Sequence, residues 1–219
     1  MNAPESFAPR RIAVLGAGRI GQPIGRHWLT AGHRVTFGSR DPERLAPLIE
    51  PWGTAARAAT YAQAAADADI VLLSVPFPAL DDLLAEVADA LSGKVVLDAT
   101  NPMGLSDEGH VVSTLGDGLT AGRRTAKLLP TSAVARAFSH VMDELLWSRG
   151  TGQRDFWGMA LAADDETARG AATALVRDAG FVPVDLGGLD DSAALDPGGA
   201  LFPHMFTPAD LRAAAGLPA

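Results

Sequence analysis

Three glycines at GxGxxG spacing, in Gly16-Ala17-Gly18-Arg19-Ile20-Gly21, constrain this chain more than any other stretch. Arg11 to Leu15, just before them, is a nearly continuous apolar run of the sort buried in a parallel sheet. After them Ile20, Ile24 and Trp28 recur four apart, a helical stripe stopped at Gly32. At this spacing Trp28 and its neighbour His27 read as core. A second apolar run, His33 to Phe37, closes on Gly38-Ser39-Arg40. Strand, glycine turn, helix and strand in this order predict a dinucleotide site. Gly16 permits the sharp exit from the strand, Gly18 leaves room for a pyrophosphate, and Gly21 lets the helix lie close to the sheet. Ala17, Arg19 and Ile20 complete the loop, and the helix start offers unpaired N–H groups and positive dipole density to the phosphates.

The end of the second strand sorts the cofactors. A site for NAD places an acidic residue there to hold the ribose 2′-hydroxyl, whereas a site for NADP offers cations and hydroxyls to the 2′-phosphate. Ser39 and Arg40 favour NADP, since a guanidinium grips phosphate through two parallel hydrogen bonds, and Arg44 adds a contact one turn later. Asp41-Pro42-Glu43 reads as a capped helix start, with Asp41 the cap in preference to a ribose ligand.

The rest of the chain extends the alternation. Strands are expected near 54–59, 70–75, 94–97, 133–138, 156–163 and 181–186. Helices are expected near 42–49, 61–66, 79–91, 119–129, 142–147 and from a cap at Asp164 or Asp165 to Ala179. Residues 103–117 read as an irregular loop, 149–154 as a loop or hinge, and 1–10 as a loose leader. The pattern is α/β, a Rossmann-type, doubly wound and mainly parallel sheet over residues 1–186. A small C-terminal segment, 187–219, follows as a contributor to an acceptor site or a dimer contact.

In such a sheet ligands lie beyond the carboxyl ends of the strands. Val75, Pro76 and Phe77 are therefore expected to wall the ribose, with Phe77 serving equally well as core. Asn101 stands where a carboxamide can reach a ribose or nicotinamide, although Asn-Pro also marks an ordinary turn. Ser139, His140 and Val141 follow the sixth strand, where His140 either faces a second reactant or is simply packed.

Composition excludes several classes. The 219 residues suffice for one core with a small appendage. A formal charge of −8, with no block of like charges, argues against a nucleic-acid surface. The lack of cysteine removes disulfides, thiol nucleophiles and thiolate metal sites, and no metal is expected. With no long apolar run and no apolar leader, a cytoplasmic protein without membrane or nucleic-acid partners is the expectation.

The order and spacing of these motifs resemble the F420-dependent NADP oxidoreductase family across residues 11–200. The resemblance rests on Gly16 to Gly21, Gly38-Ser39-Arg40, Ser74-Val75-Pro76-Phe77, the strand Ala133 to Phe138, and Asp185-Leu186-Gly187-Gly188-Leu189. It implies NADP as cofactor and coenzyme F420 as a hydride acceptor. Ser39, Arg40 and Arg44 would hold the 2′-phosphate, Val75 and Asn101 would lie by the nicotinamide ribose, and Ser139, His140, Val141 and Leu189 would stand on the acceptor side. It also implies a homodimer. Two departures concern the acceptor. The family often follows Gly-Gly-Leu with Ala-Arg and a glutamate where this chain has Asp190-Asp191-Ser192-Ala193-Ala194-Leu195-Asp196, and it tends to carry histidine where Ser139 stands.

No GxSxG elbow, HExxH helix or metal cluster is present, which suits hydride transfer between two stacked rings. A reductase of a small imine, ketone or flavin, with His140 or water as proton donor, is a second possibility. A non-catalytic NADPH-binding module is a third.

Overall fold

A computed structural model describes residues 9–116, 118–148 and 155–218, so most of the expected leader and the 149–154 loop lie outside the described residues. Ten strands occur among them: β1 (Arg11–Leu15), β2 (Arg34–Gly38), β3 (Ala56–Ala59), β4 (Ile70–Leu73), β5 (Val95–Asp98), β6 (Met103–Leu105), β7 (Val111–Ser113), β8 (Ala133–Ala137), β9 (Gly158–Ala163) and β10 (Val182–Asp185). The helices are α1 (Gly21–Thr30), α2 (Ala46–Ile49), α3 (Tyr61–Asp67), α4 (Leu80–Leu91), α5 (Ala121–Leu128), α6 (Asp143–Ser148), α7 (Glu166–Asp178) and α8 (Pro208–Ala214).

Eight strands form one sheet in the order β10-β9-β8-β5-β4-β1-β2-β3. From β3 to β8 every neighbouring pair is parallel, while β9 runs antiparallel to β8 and β10 parallel to β9. The doubly wound, mainly parallel expectation therefore holds, with β1 central.

Alternation along the strands builds two cores. Ile12 and Val14 face one side with Ile24 and Trp28 of α1 and Leu175 of α7. Ala13 and Leu15 face the other with Ala64 of α3 and Leu84 of α4. Trp28 is fully buried, its indole N–H donating to the Leu175 carbonyl at 2.9 Å, and His27 Nε2 pairs with the Leu146 carbonyl at 2.8 Å. Both are core residues. Local signals set the helix starts: Thr60 makes a reciprocal capping box with Gln63, and the Asp165 carboxylate accepts from the N–H groups of Thr167 and Ala168.

Three local features differ from the sequence reading. Within 103–117, β6 and β7 form an antiparallel hairpin of three-residue strands, too short for alternation to reveal. Asp41 stands before a short 3-10 turn, Pro42–Leu45, yet its carboxylate makes no capping bond; Ser39 Oγ accepts the Asp41 N–H at 3.1 Å instead. Helix α1 starts at Gly21, two residues after Arg19, where the spacing of Ile20, Ile24 and Trp28 predicts its start. The segment after 187 packs Leu195, Leu201 and Leu211 onto Ala160 and Val184 of β9 and β10. No helix among the described residues is long and apolar enough to cross a membrane.

Candidate functional site

The carboxyl ends of β1, β2, β4, β5 and β8 meet along one edge, tied by a chain of hydrogen bonds. Gly16 N–H donates to the Gly38 carbonyl at 3.2 Å, and Ser74 Oγ donates to the Gly16 carbonyl at 2.7 Å. These bonds hold the glycine turn between the ends of β2 and β4. Asn101 Nδ2 donates to the Ser139 carbonyl at 2.8 Å and joins the ends of β5 and β8. Ser74 was open to detection as a hydroxyl ending an apolar strand, but only its position shows that it anchors the turn.

The three glycines have separable roles. Gly16 lies at φ +107°, in the region that favours glycine, and a Cβ there would stand 2.6 Å from the Ser74 carbonyl oxygen. A Cβ on Gly21 would overlap the Gly16 carbonyl oxygen and sit 2.5 Å from Ser74 Oγ. Gly18 has nothing within 4 Å of a notional Cβ, so its backbone borders open space. Gly25, which carries no part of the motif, is held to glycine by Phe37, whose ring lies 2.5 Å from a notional Cβ. This is the cradle a pyrophosphate requires: two glycines enforced by packing, and a third facing a space that a side chain would fill.

Arg40 and Arg44 are exposed beyond β2, and Arg44 Nε lies 3.9 Å from the Asp41 carboxylate. Ser39 is half-buried between them and the β3 end, where its N–H donates to Ala59. Val75 is buried, Pro76 is exposed, and the half-buried Phe77 ring carries the Arg124 guanidinium 5.0 Å from its centre. Phe77 thus packs partly against the core. Arg19 turns its side chain to the start of α6, bonding Asp143 at 2.5 Å and Glu144 at 3.4 Å. The Arg19 guanidinium holds the Asp143 carboxyl below the usual carboxylate range. With Trp147 these three border a cavity of about 470 Å³.

At the end of β8, Phe138 adopts φ +62°, an uncommon conformation for a bulky side chain. Its buried ring, edge-on to Trp28 at 5.8 Å, anchors that conformation and sends Ser139 toward Asn101. Ser139 is 2% exposed and its Oγ has no hydrogen-bond partner. A buried hydroxyl without a partner beside the crevice suits a ligand-binding role. Val141 is core.

His140 is fully buried, with Nε2 accepting from Ala160 N–H at 3.0 Å and Nδ1 facing the His204 carbonyl at 3.4 Å. Burial, aided by the nearby Arg136 charge, pushes the imidazole down from 6.5 to about 4. The ring is therefore neutral and internally committed, which corrects its reading as a proton donor. Because the folded-state value is the lower one, its contribution to stability is complete above pH 6.5 and is lost as pH falls to about 4. Urea unfolding of wild type should show about 3 kcal/mol of stability lost across that window beyond the loss in His140→Gln. Parallel losses in the two proteins would contradict the assignment.

Leu189 requires a second correction. Because β9 reverses and β10 follows it, Gly187 and Gly188 emerge at the amino ends of the parallel strands, and Leu189 packs inward against α5, its carbonyl accepting from the Thr120 hydroxyl at 2.8 Å. Leu189 is 2% exposed and lines a cavity of about 450 Å³ with Gly93, Ser132 and Asp164. The C-terminal segment reaches the crevice end instead through Asp196, which bonds Arg136, and through His204. Neither stood out in the sequence, although an arginine inside the apolar strand Ala133 to Phe138 signals a buried partner elsewhere.

Sheet order, glycine cradle and strand-end crevice together define a dinucleotide-binding α/β protein of the Rossmann class. Residues 11–102 match the family described as NADP oxidoreductase, coenzyme F420-dependent. The chain is 32% identical over 199 residues to the F420-dependent NADP reductase of Methanothermobacter marburgensis, covering 85% of this chain and 88% of the relative. It belongs to this family and is an NADP-dependent oxidoreductase. Among solved structures, a hypothetical protein from Sinorhizobium meliloti superposes with a TM-score of 0.78 at 25% identity, over 93% of this chain and 97% of that one. A reductive aminase from Aspergillus terreus in complex with NADPH and ethyl-5-oxohexanoate shares the fold, with a TM-score of 0.61 at 19% identity over 84% of this chain and 57% of that one.

Proposed function

We propose that this NADP-dependent oxidoreductase passes a hydride between NADPH and the deazaflavin coenzyme F420, held against each other beyond the ends of β5 and β8. One observation carries the choice of acceptor: the titratable side chain in the Ser139 to Val141 turn, His140, is neutral, buried and bonded at both nitrogens. Reduction of an imine or ketone needs a proton delivered at the reacting group. The proton that accompanies reduction of a deazaflavin goes to N1, away from the carbon that takes the hydride, and can come from water, so transfer between stacked rings asks the protein chiefly for position. The M. marburgensis relative supports the same reading by its name.

Bound NADPH supplies the hydride. In the proposal the open backbone at Gly18 and the start of α1 take the pyrophosphate, and Ser39, Arg40 and Arg44 take the 2′-phosphate. Val75, Pro76 and Phe77 wall the ribose, Asn101 lies at the nicotinamide ribose, and Ser139 Oγ donates to the ring pair. Segment 187–219 serves the acceptor side through Asp196 and His204. The molecule acts as a homodimer, with Met103, Leu105 and Val111 of the β6–β7 hairpin as exposed apolar surface for the contact. Sedimentation as two copies checks that state.

A second reading, reduction of a small iminium, is favoured by the carboxylates of Asp143 and Glu144 on the cavity of about 470 Å³. Anaerobic NADPH oxidation with F420, FMN and a cyclic imine separates the two: preferential turnover of F420 is expected, and preferential turnover of the imine would replace it. Arg40→Ala should raise the Kd for NADPH about 10- to 100-fold while changing that for NADH little, as measured by fluorescence titration. Equal losses for both would remove the 2′-phosphate assignment.

A further inference from the structure

Arg136, 0% exposed, is the next-to-last residue of β8, and its two terminal nitrogens bond different partners. One terminal nitrogen donates to the carbonyls of Asp98 at 3.0 Å and Thr100 at 2.6 Å. The other is shared between Asn101 Oδ1 at 3.2 Å and Asp196 Oδ1 at 2.7 Å. Asp196, 5% exposed, accepts with its second oxygen from Ala121 N–H, the first residue of α5, at 2.8 Å. The Asp98 carboxylate accepts from the N–H and hydroxyl of Thr100 and from the Thr125 hydroxyl, and it lies 3.5 Å from the first of these nitrogens of Arg136 as a second buried counter-charge.

We propose that Asp196 is a positioning residue, which aims the Asn101 carboxamide into the crevice by fixing the Arg136 fork. The inference rests on the placement of Asn101 at the nicotinamide half given above. Asn101 is held at both ends, by Arg136 on Oδ1 and through Nδ2 on the Ser139 carbonyl. That fixes the plane of the amide and leaves one N–H and one lone pair to face outward from a half-buried residue. A guanidinium has a rigid fork: the Asp98 and Thr100 carbonyls hold one terminal nitrogen, and Asp196 holds the far side of the nitrogen that reaches Asn101. Asp196 lies 60 residues from Arg136 in the chain, in the segment that packs on β9 and β10. The segment therefore acts on the nicotinamide end from within the protein, without entering the crevice. A purely structural ion pair would tie β8 to this segment equally well but would have no reason to share its nitrogen with Asn101.

The test compares NADPH with adenosine 2′,5′-bisphosphate, which carries the adenine half and the 2′-phosphate but no nicotinamide. Asp196→Asn should raise the Kd for NADPH about tenfold and leave that for the bisphosphate unchanged. Arg136→Lys, which keeps the charge and loses the fork, should do the same and serves if Asp196→Asn folds poorly. In an Asn101→Ala background Asp196→Asn should add nothing. Equal weakening of both ligands, or an undiminished effect in the Asn101→Ala background, would make Asp196 structural and overturn the proposal. An unchanged NADPH affinity in Asp196→Asn, with a loss in Asn101→Ala, would also overturn it while leaving the site intact. An unchanged affinity in Asn101→Ala itself would overturn the placement of Asn101 and the proposal with it.

Discussion

Arg136→Met should destabilise the protein by about 3–5 kcal/mol, the largest loss expected from any single substitution in the crevice. The side chain is 0% exposed, bonds two carbonyls, a carboxamide and the Asp196 carboxylate, and lies 3.5 Å from the buried Asp98 carboxylate. Methionine fills a similar volume but donates nothing, so Asp196 is left with only the Ala121 N–H. A buried carboxylate that loses its cation must be solvated or protonated, and either route costs several kcal/mol. In a chain of this length the midpoint of thermal unfolding should fall by about 10 °C or more. Urea unfolding near neutral pH measures the loss directly, and a value below about 1 kcal/mol would show that the buried charges are compensated elsewhere.

The second large effect divides the cradle. Gly21→Ala should cost about 2–3 kcal/mol of stability and raise the Kd for NADPH at least about tenfold. Its Cβ would overlap the Gly16 carbonyl and crowd Ser74 Oγ and Val14, and every one of those neighbours is fixed by β1 or β4. Helix α1 would have to lift from the sheet, carrying its N-terminal N–H groups away from the phosphates. Gly18→Ala is the control, because its Cβ meets nothing within 4 Å. Stability there should be unchanged or raised by about 0.5 kcal/mol, while NADPH affinity falls as much as in Gly21→Ala. Equal destabilisation by the two substitutions would mean that Gly18 is structural, and retained affinity in Gly18→Ala would mean that the pyrophosphate lies elsewhere.

Much of this arrangement was legible in the sequence because its signals are local. The spacing of Gly16, Gly18 and Gly21, the continuous apolar strands, and the change to Gly-Ser-Arg after Phe37 each depend on neighbours within a few residues. The parallel order of the first six strands of the sheet follows, since each is joined to the next by a helical crossover or the hairpin segment. Long-range geometry was hidden. The reversal of β9 relative to β8 carries the end of β10 and Gly187 to the amino end of the sheet, and no periodicity within β9 announces its direction. The bond between Arg136 and Asp196 spans 60 residues, and the sequence shows the arginine without its partner. The sequence shows His140 just after a strand, but burial and the Ala160 N–H, both long-range, decide that it is neutral and structural.

The proposed reaction is direct hydride transfer from the nicotinamide to a deazaflavin. Its most direct measurement uses NADPH deuterated at C4 on both faces, incubated anaerobically with the protein and oxidised F420, with the product analysed by mass spectrometry. Reduced F420 carrying one deuterium, retained in deuterium-free water, is the expected result. Reduced F420 without deuterium, or no reduction while a different acceptor is turned over, would contradict it.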